Sequence, residues 1–340
     1  MKISIIGAGN VGGLTAMRLA QEDMGEIFLV DIAKGLAKGK SLDLEDALPF
    51  LKYNYKMEPP GLKSGVPRGG ILERPLSILA LKGKDFGRES IKGFDDINEI
   101  KDSDIIVVTA GLTRKPGMTR LDLLNKNAQI IKDICLNIKR LAPQSILIMV
   151  ANPLDLMTRL ALKITGFKPD KVMGMGATLD AARFANLISK ALNIPSGDIE
   201  TIVIGCHGEG MLPLPGFAKI KGVCLDEFLK EQDIQKLIQE TIGRGAEIVS
   251  LLGSGSASFA PSAAVSEIIR AIIKNEKRIL GVSAYLNGEY GIKDVCIGVP
   301  CRLGKGGVQQ VVELDLSKQE KEAFLKSAND LKEQYKNITI

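Results

Sequence analysis

One histidine stands in 340 residues, tryptophan is absent, and aromatic side chains make up 4% of the chain. With no interleaving of basic and aromatic residues and a net charge of only +5, recognition of nucleic acid has little to build on. The five cysteines, Cys135, Cys206, Cys224, Cys296 and Cys301, include no Cys-x-x-Cys pair. Neither a zinc site nor a disulfide framework is therefore expected, no metal is assigned, and a reducing cytoplasm is the expected compartment. No apolar run reaches the ~18 residues that a membrane span requires. The first residues read as a strand, so neither an anchor nor a signal peptide is expected.

What is present has the balance of a folded globular protein, 45% hydrophobic and 25% charged, with chain enough for two domains or one large one. Lys2-Ile-Ser-Ile-Ile6 predicts a strand running straight into Gly7-Ala-Gly9-Asn-Val-Gly12, followed by a helical pattern through Leu14, Met17 and Leu19. Gly7 permits a tight turn, Gly9 lets the backbone approach a pyrophosphate, and Gly12 lets helix pack on strand. The helix N-terminus then offers unpaired N–H groups to phosphate. The glycine spacing alone is a weak signal. It gains weight from a second apolar strand, Ile27 to Val30, that ends in Asp31, 19 residues after Gly12. A carboxylate there accepts from ribose hydroxyls and repels a 2′-phosphate, which favours NAD over NADP.

Residues 33–47 predict a helix. From 58 to 90 the density of proline and glycine forbids a long regular element, and this stretch is expected to be a surface insertion. Within 51–92 nine basic residues face four acidic ones, a surplus equal to the net charge of the whole chain. Regularity returns with an apolar strand through Ile105 to Val108, of the kind buried on both faces in parallel sheets. After it, Leu112-Thr-Arg114-Lys-Pro-Gly-Met-Thr-Arg120 fits a hinged loop carrying two guanidinium groups to the sheet's carboxyl edge, though a merely solvated basic loop has the same composition. A helix over Leu121–Leu141, a strand over Ser145–Val150 and the turn Ala151-Asn-Pro-Leu-Asp155 close a first domain at Asn152. Beyond it, helices over 234–252 and 261–273, strands around 295–299 and 307–316, and a charged helix from Lys318 give a different character. The fold expected is α/β: a Rossmann-type doubly wound parallel sheet over 1–152, then an α+β substrate domain over 153–340.

The one histidine lies in Thr201-Ile-Val-Ile-Gly-Cys-His207-Gly-Glu-Gly, where an apolar run opens into a glycine-flanked turn. Strand ends present catalytic groups in this way, but a surface or hydrogen-bonded core histidine fits the stretch as well. Asp180 and Arg183, three apart in Thr178-Leu-Asp-Ala-Ala-Arg-Phe184, share a helix face, which an ordinary surface ion pair would also explain.

Taken together, these motifs resemble those of the lactate/malate dehydrogenases, and among them the malate dehydrogenases that are lactate-dehydrogenase-like. The likeness rests on Gly7 to Gly12, Asp31, Gly111 to Arg120, Ala151-Asn-Pro153, Leu179 to Arg183, Gly205-Cys-His-Gly208 and Gly255 to Pro261, and covers nearly all but 58–90. The insertion is untypical, and Cys206 with Glu209 gives the histidine turn an unusual flavour. The resemblance implies an NAD-dependent malate dehydrogenase, with lactate or another 2-hydroxy acid as the alternative substrate, assembled as a homodimer or homotetramer. It implies cofactor contacts at Gly7, Gly9, Asn10, Val11, Gly12, Asp31, Thr109, Ala110, Gly111, Asn127, Val150 and Asn152. His207 would exchange the hydroxyl proton, being the only imidazole available, and Asp180 would fix its tautomer. Arg120 would polarise the carbonyl, Arg183 would clamp the substrate carboxylate, and Asn152 would hold the reacting oxygen. Arg114 stands where lactate dehydrogenases carry an uncharged amide, and an arginine there would neutralise the second carboxylate of malate. Two other classes stay open on sequence: a metal-dependent NAD glycosidase using Cys206 and His207, and a nucleotide-binding module without turnover.

Overall fold

In a computed structural model of the chain, the described residues are 1–52, 91–112 and 119–339, without the side chains of Leu51, Lys52 and Arg120. The insertion expected at 58–90 lies wholly outside them, and so does Arg114.

The first half is a parallel sheet. β1 (Lys2–Ile6), β2 (Glu26–Val30), β3 (Ile91–Phe94), β4 (Ile105–Val108), β5 (Ile146–Met149) and β6 (Val172–Gly174) lie in the order β3-β2-β1-β4-β5-β6. Every neighbouring pair is parallel. β1, β4 and β5 are almost entirely buried because helices cover both faces, which is why they read as continuous apolar runs. The helices are α1 (Asn10–Gln21), α2 (Leu36–Lys52), α3 (Arg120–Leu141) and α4 (Leu154–Thr165). α2 begins later than expected because Asp31 accepts from Ala33 N–H and holds the chain in a turn first. It also runs on through Pro49 to Lys52, past the end expected at residue 47.

The second half extends the same sheet instead of starting another. β12 (Arg278–Asn287) pairs antiparallel with β6, β13 (Lys293–Gly304) with β12, β8 (Val203–Gly205) with β13 and β9 (Met211–Pro213) with β8, while β14 (Gly307–Val311) pairs with β13. β12 was not anticipated. Its Gly281, Ser283 and Ala284 weaken the apolar signal, yet small residues are what the site needs, since a Cβ on Gly281 would come within 2.8 Å of the Cβ of Ala177. Helices α5 (Ala177–Leu192), α6 (Glu231–Leu252), α7 (Phe259–Ile273) and α8 (Lys318–Lys336) complete this half. A small sheet, β11 (Val223–Cys224), β10 (Lys219–Ile220) and β7 (Ile199–Glu200), packs with α5 and α6 around Phe184, Ile188 and Ile234 as a second core. Among the described residues no helix is long and apolar enough to cross a membrane.

Candidate active site

The turn after β1 has three glycines with three different reasons to be there. Gly7 has φ +109, and a Cβ on it would lie 2.6 Å from Thr109 Oγ1 and 2.7 Å from the Ala110 nitrogen. Gly12 faces the turn itself, and its Cβ would come 1.9 Å from the Gly7 oxygen. Both are demanded by the protein's own packing. Gly9 is not: its φ is −65°, and a Cβ there would meet nothing within 4 Å. The space it leaves lies at the N-terminus of α1, where no side chain caps the first N–H groups, including those of Asn10 and Val11. That open ground before a row of free N–H donors fits a pyrophosphate, and is the observation on which the site accepts a dinucleotide. Asp31 Oδ2 accepts from Ala8 N–H at 2.6 Å and Oδ1 from Ala33 N–H at 2.9 Å. The carboxylate is thus fixed at the end of β2 with lone pairs remaining for ribose hydroxyls.

The adjoining strand ends carry the rest of the expected cofactor contacts. Thr109 Oγ1 donates to the Gly7 carbonyl at 2.9 Å and so ties β4 to the turn. Ala110 and Val150 are partly buried, and Gly111 and Asn152 are exposed at the same carboxyl edge. Asn127 is placed differently from the rest. It is 1% exposed, accepts from Leu112 N–H at 2.8 Å, and donates to the carbonyls of Leu112 and Asn152 at 3.2 and 2.8 Å. Its amide braces the chain leaving β4 against Asn152.

His207 follows β8, whose expected strand and glycine turn are both found. Gly205 and Gly208 have φ +92 and +112, so the backbone on either side adopts conformations that L side chains resist. The imidazole Nδ1 lies 2.8 Å from Asp180 Oδ2, and Arg183 Nη1 donates to Asp180 Oδ1 at 3.2 Å. Asp180 is 1% exposed, so the surface ion pair that the sequence left open is not what forms: both carboxylate oxygens are engaged in the interior. Arg183 is largely buried, with its Nε lacking a partner. Gly176 lets these parts converge, since a Cβ there would lie 2.5 Å from Leu154 and 3.1 Å from the Cβ of His207. Burial works against a charged ring, but the charge and hydrogen bond of Asp180, with the charge of Asp155, outweigh it and raise the pKa of His207, while Arg183 opposes them.

Asp155 is a residue of the site that the sequence alone does not reveal. It is 3% exposed, and its Oδ2 accepts the main-chain N–H of His207 at 2.8 Å. Its position three residues after Asn152 was the only available signal, and the contact spans 52 residues. Lys40 was also missed, with its Nζ on the Gly9 carbonyl at 3.2 Å. Arg120 begins α3 behind a Thr119–Asp122 capping box.

A doubly wound sheet with a phosphate cradle after β1 and a carboxylate-held imidazole in the adjoining half defines a class, the NAD-dependent dehydrogenases. Residues 1–64 and 84–174 match the family profile described as the lactate/malate dehydrogenase NAD-binding domain, and residues 177–339 match that of the alpha/beta C-terminal domain. The chain belongs to the lactate/malate dehydrogenase family. A malate dehydrogenase of Methanosarcina barkeri is 43% identical over 339 residues, spanning 100% of this chain and 99% of its own. The crystal structure of Cryptosporidium parvum malate dehydrogenase superposes with a TM-score of 0.86 at 34% identity, covering 99% of this chain and 98% of that one. A lactate dehydrogenase of Eimeria maxima with NADH and oxamate gives 0.84 at 29%, over 98% and 93%. The first profile ends with β6 and the second begins with α5.

Proposed function

We propose that this enzyme is an NAD-dependent malate dehydrogenase, interconverting malate and oxaloacetate. The observation that carries the chemistry is the buried imidazole held through Nδ1 by Asp180. The Gly7–Gly12 turn and Asp31 would hold NAD, which would supply the hydride acceptor for the alcohol carbon and, in its reduced form, the donor for the reverse reaction. Asp180 holds the proton on Nδ1, which leaves Nε2 to take the hydroxyl proton as the carbonyl forms. The carboxylate then stabilises the imidazolium. In reduction the charged ring gives that proton back to the developing alkoxide.

Arg183 has one guanidinium nitrogen on Asp180 and a buried Nε with no acceptor, which supports its gripping the substrate's carboxylate beside the proton-transfer pair. We assign Asn152 to the reacting oxygen, Arg120 to polarising the carbonyl, and the cofactor contacts to Gly7, Gly9, Asn10, Val11, Gly12, Asp31, Thr109, Ala110, Gly111 and Val150. Asn127 acts through Asn152. Malate is favoured over lactate by Arg114: leaving that charge unpaired over a methyl group would cost roughly 3–5 kcal/mol. Lactate is the second reading, favoured by the likeness to the Eimeria enzyme. Initial rates with oxaloacetate and pyruvate, each with NADH and NADPH, decide between them, and faster turnover of pyruvate would overturn the malate assignment.

We place the enzyme in the cytoplasm, as its five unpaired cysteines suggest, and read it as a homodimer or homotetramer. Leu42 and Phe50 of α2, Leu251 and Leu252 ending α6, and Phe259 opening α7 are large apolar side chains left exposed, Leu251 to 80%. Sedimentation velocity at micromolar concentration should give a dimer or larger; a monomer would remove this assignment.

A further inference from the structure

The dyad rests on a layer that its chemistry as described leaves unused. Asp155, in the first turn of α4, holds the His207 main chain through Oδ2, but its Oδ1 is buried with no hydrogen-bond partner. From β12 the buried hydroxyl of Ser283 lies against the same carboxyl, with the Cys206 thiol beside it. A buried carboxyl with one open oxygen is costly to maintain, so a fold that merely needed to cap one N–H could do so more cheaply with an amide or hydroxyl.

We propose that Asp155 is a second carboxylate of the proton-transfer pair: a positioning residue that anchors His207 by its main chain and adds to Asp180 in stabilising the imidazolium. The anchoring follows from geometry. His207 sits between two glycines with positive φ, so its backbone has little stiffness of its own, and the Asp155 contact is a long-range tie at that point. The electrostatic part follows from what surrounds the ring. The charges that act on it most are Asp180 and Arg183 from α5 and Asp155 from α4, and Asp330 of α8 acts on the adjoining Cys206 thiol. Arg183 disfavours a proton on the ring, and Asp155 adds to Asp180 in opposing it. Burial dominates and raises the Asp155 carboxyl above the ordinary carboxylate range, against the pull of Ser283, the His207 N–H and the charge of His207 toward the ion.

This rests on the dehydrogenase reading, but the test need not. Because the chain has one histidine, the imidazole C2–H resonance of the full-length protein reports His207 alone, without substrate. Asp155→Asn keeps an oxygen for the His207 N–H and removes the charge. It should lower the ring's pKa by on the order of one unit, keep NADH affinity and KM within threefold, and reduce kcat for oxaloacetate about tenfold. Asp155→Ala, lacking the acceptor as well, should lose about 10²-fold in kcat. A titration in Asp155→Asn that superimposes on the parent's overturns the proposal, as do Asn and Ala variants equally impaired with unshifted rings. Should neither variant fold, Ser283→Ala must move the titration in the same direction by a smaller amount, and an unmoved curve there overturns it too. Failure of the malate reading shows separately, as a parent enzyme that prefers pyruvate.

Discussion

The cradle after β1 and the pocket of His207 solve opposite problems. The cradle is made of backbone: two glycines that packing requires, one that it does not, and a row of N–H groups in front. The pocket is made of side chains from three distant stretches, with Asp155, Asp180 and His207 joined by contacts spanning 52 and 27 residues. A backbone site is insensitive to most substitutions but has no tolerance for a Cβ in the wrong place. A side-chain site can lose its chemistry to a single atom while its framework stands.

The sharpest way to separate the two is at the proton. His207→Asn should lower kcat by about 10³-fold or more with NADH affinity unchanged, since the ring handles a proton and touches no phosphate. Stopped-flow turnover with fluorescence titration of NADH measures both, and turnover within tenfold of the parent would remove the assignment.

The cradle itself can be broken in two distinguishable ways. In Gly12→Ala the new Cβ collides with the Gly7 carbonyl, so Tm should fall steeply, by roughly 3 kcal/mol or more in stability. In Gly9→Val the added Cβ lies in open space with no protein atom within 4 Å, so Tm should hold while NADH binding weakens by about 10²-fold. Equal loss of stability in both would mean that Gly9 is structural.

Arg114→Gln probes specificity apart from either region. The ratio of kcat/KM for oxaloacetate to that for pyruvate should fall by about 10², because the change removes a partner of the distal carboxylate and admits a methyl group. A parallel loss on both substrates would place Arg114 outside the recognition of that carboxylate.

Smaller effects follow from protonation and from Asp31. Oxaloacetate reduction needs the charged ring, so its rate should fall as pH rises through the raised pKa of His207, while malate oxidation rises over the same interval. Asp180→Asn should move that limb toward acid by on the order of one unit. An unmoved pH–rate profile would mean that another group controls it. Asp31→Ser should narrow the preference for NADH over NADPH about tenfold, a modest change because serine can still accept one of the two N–H groups now held.

The same contrast explains what could be read from the chain. The β1 strand, the glycine turn and Asp31 were legible because their roles are set within about 30 residues. His207 stood out through being the only imidazole, and Asp180 and Arg183 through sharing a helical face, though only the fold shows Asp180 buried and held from both ends. Asp155 was illegible because its partner is a main-chain N–H 52 positions away, for which no spacing rule exists. Asn127 is a cofactor contact only by the resemblance, and the fold adds what no spacing shows, a buried amide that braces Leu112 against Asn152. β12 was missed because the glycine, serine and alanine that let α5 approach are the residues that dilute a strand's apolar pattern.

The pairing of β6 with β12 makes the parallel and antiparallel halves one sheet, with Gly174 opposite Ser283 at the seam. Two bodies joined by a linker can melt in separate steps and survive being cut apart. Here the seam strand is paired on both sides, by β5 and by β12, so removing either half strips hydrogen bonds and burial from the other. Calorimetry of the intact chain should therefore record a single cooperative endotherm, and a fragment ending after β6 should expose a bare apolar edge and aggregate.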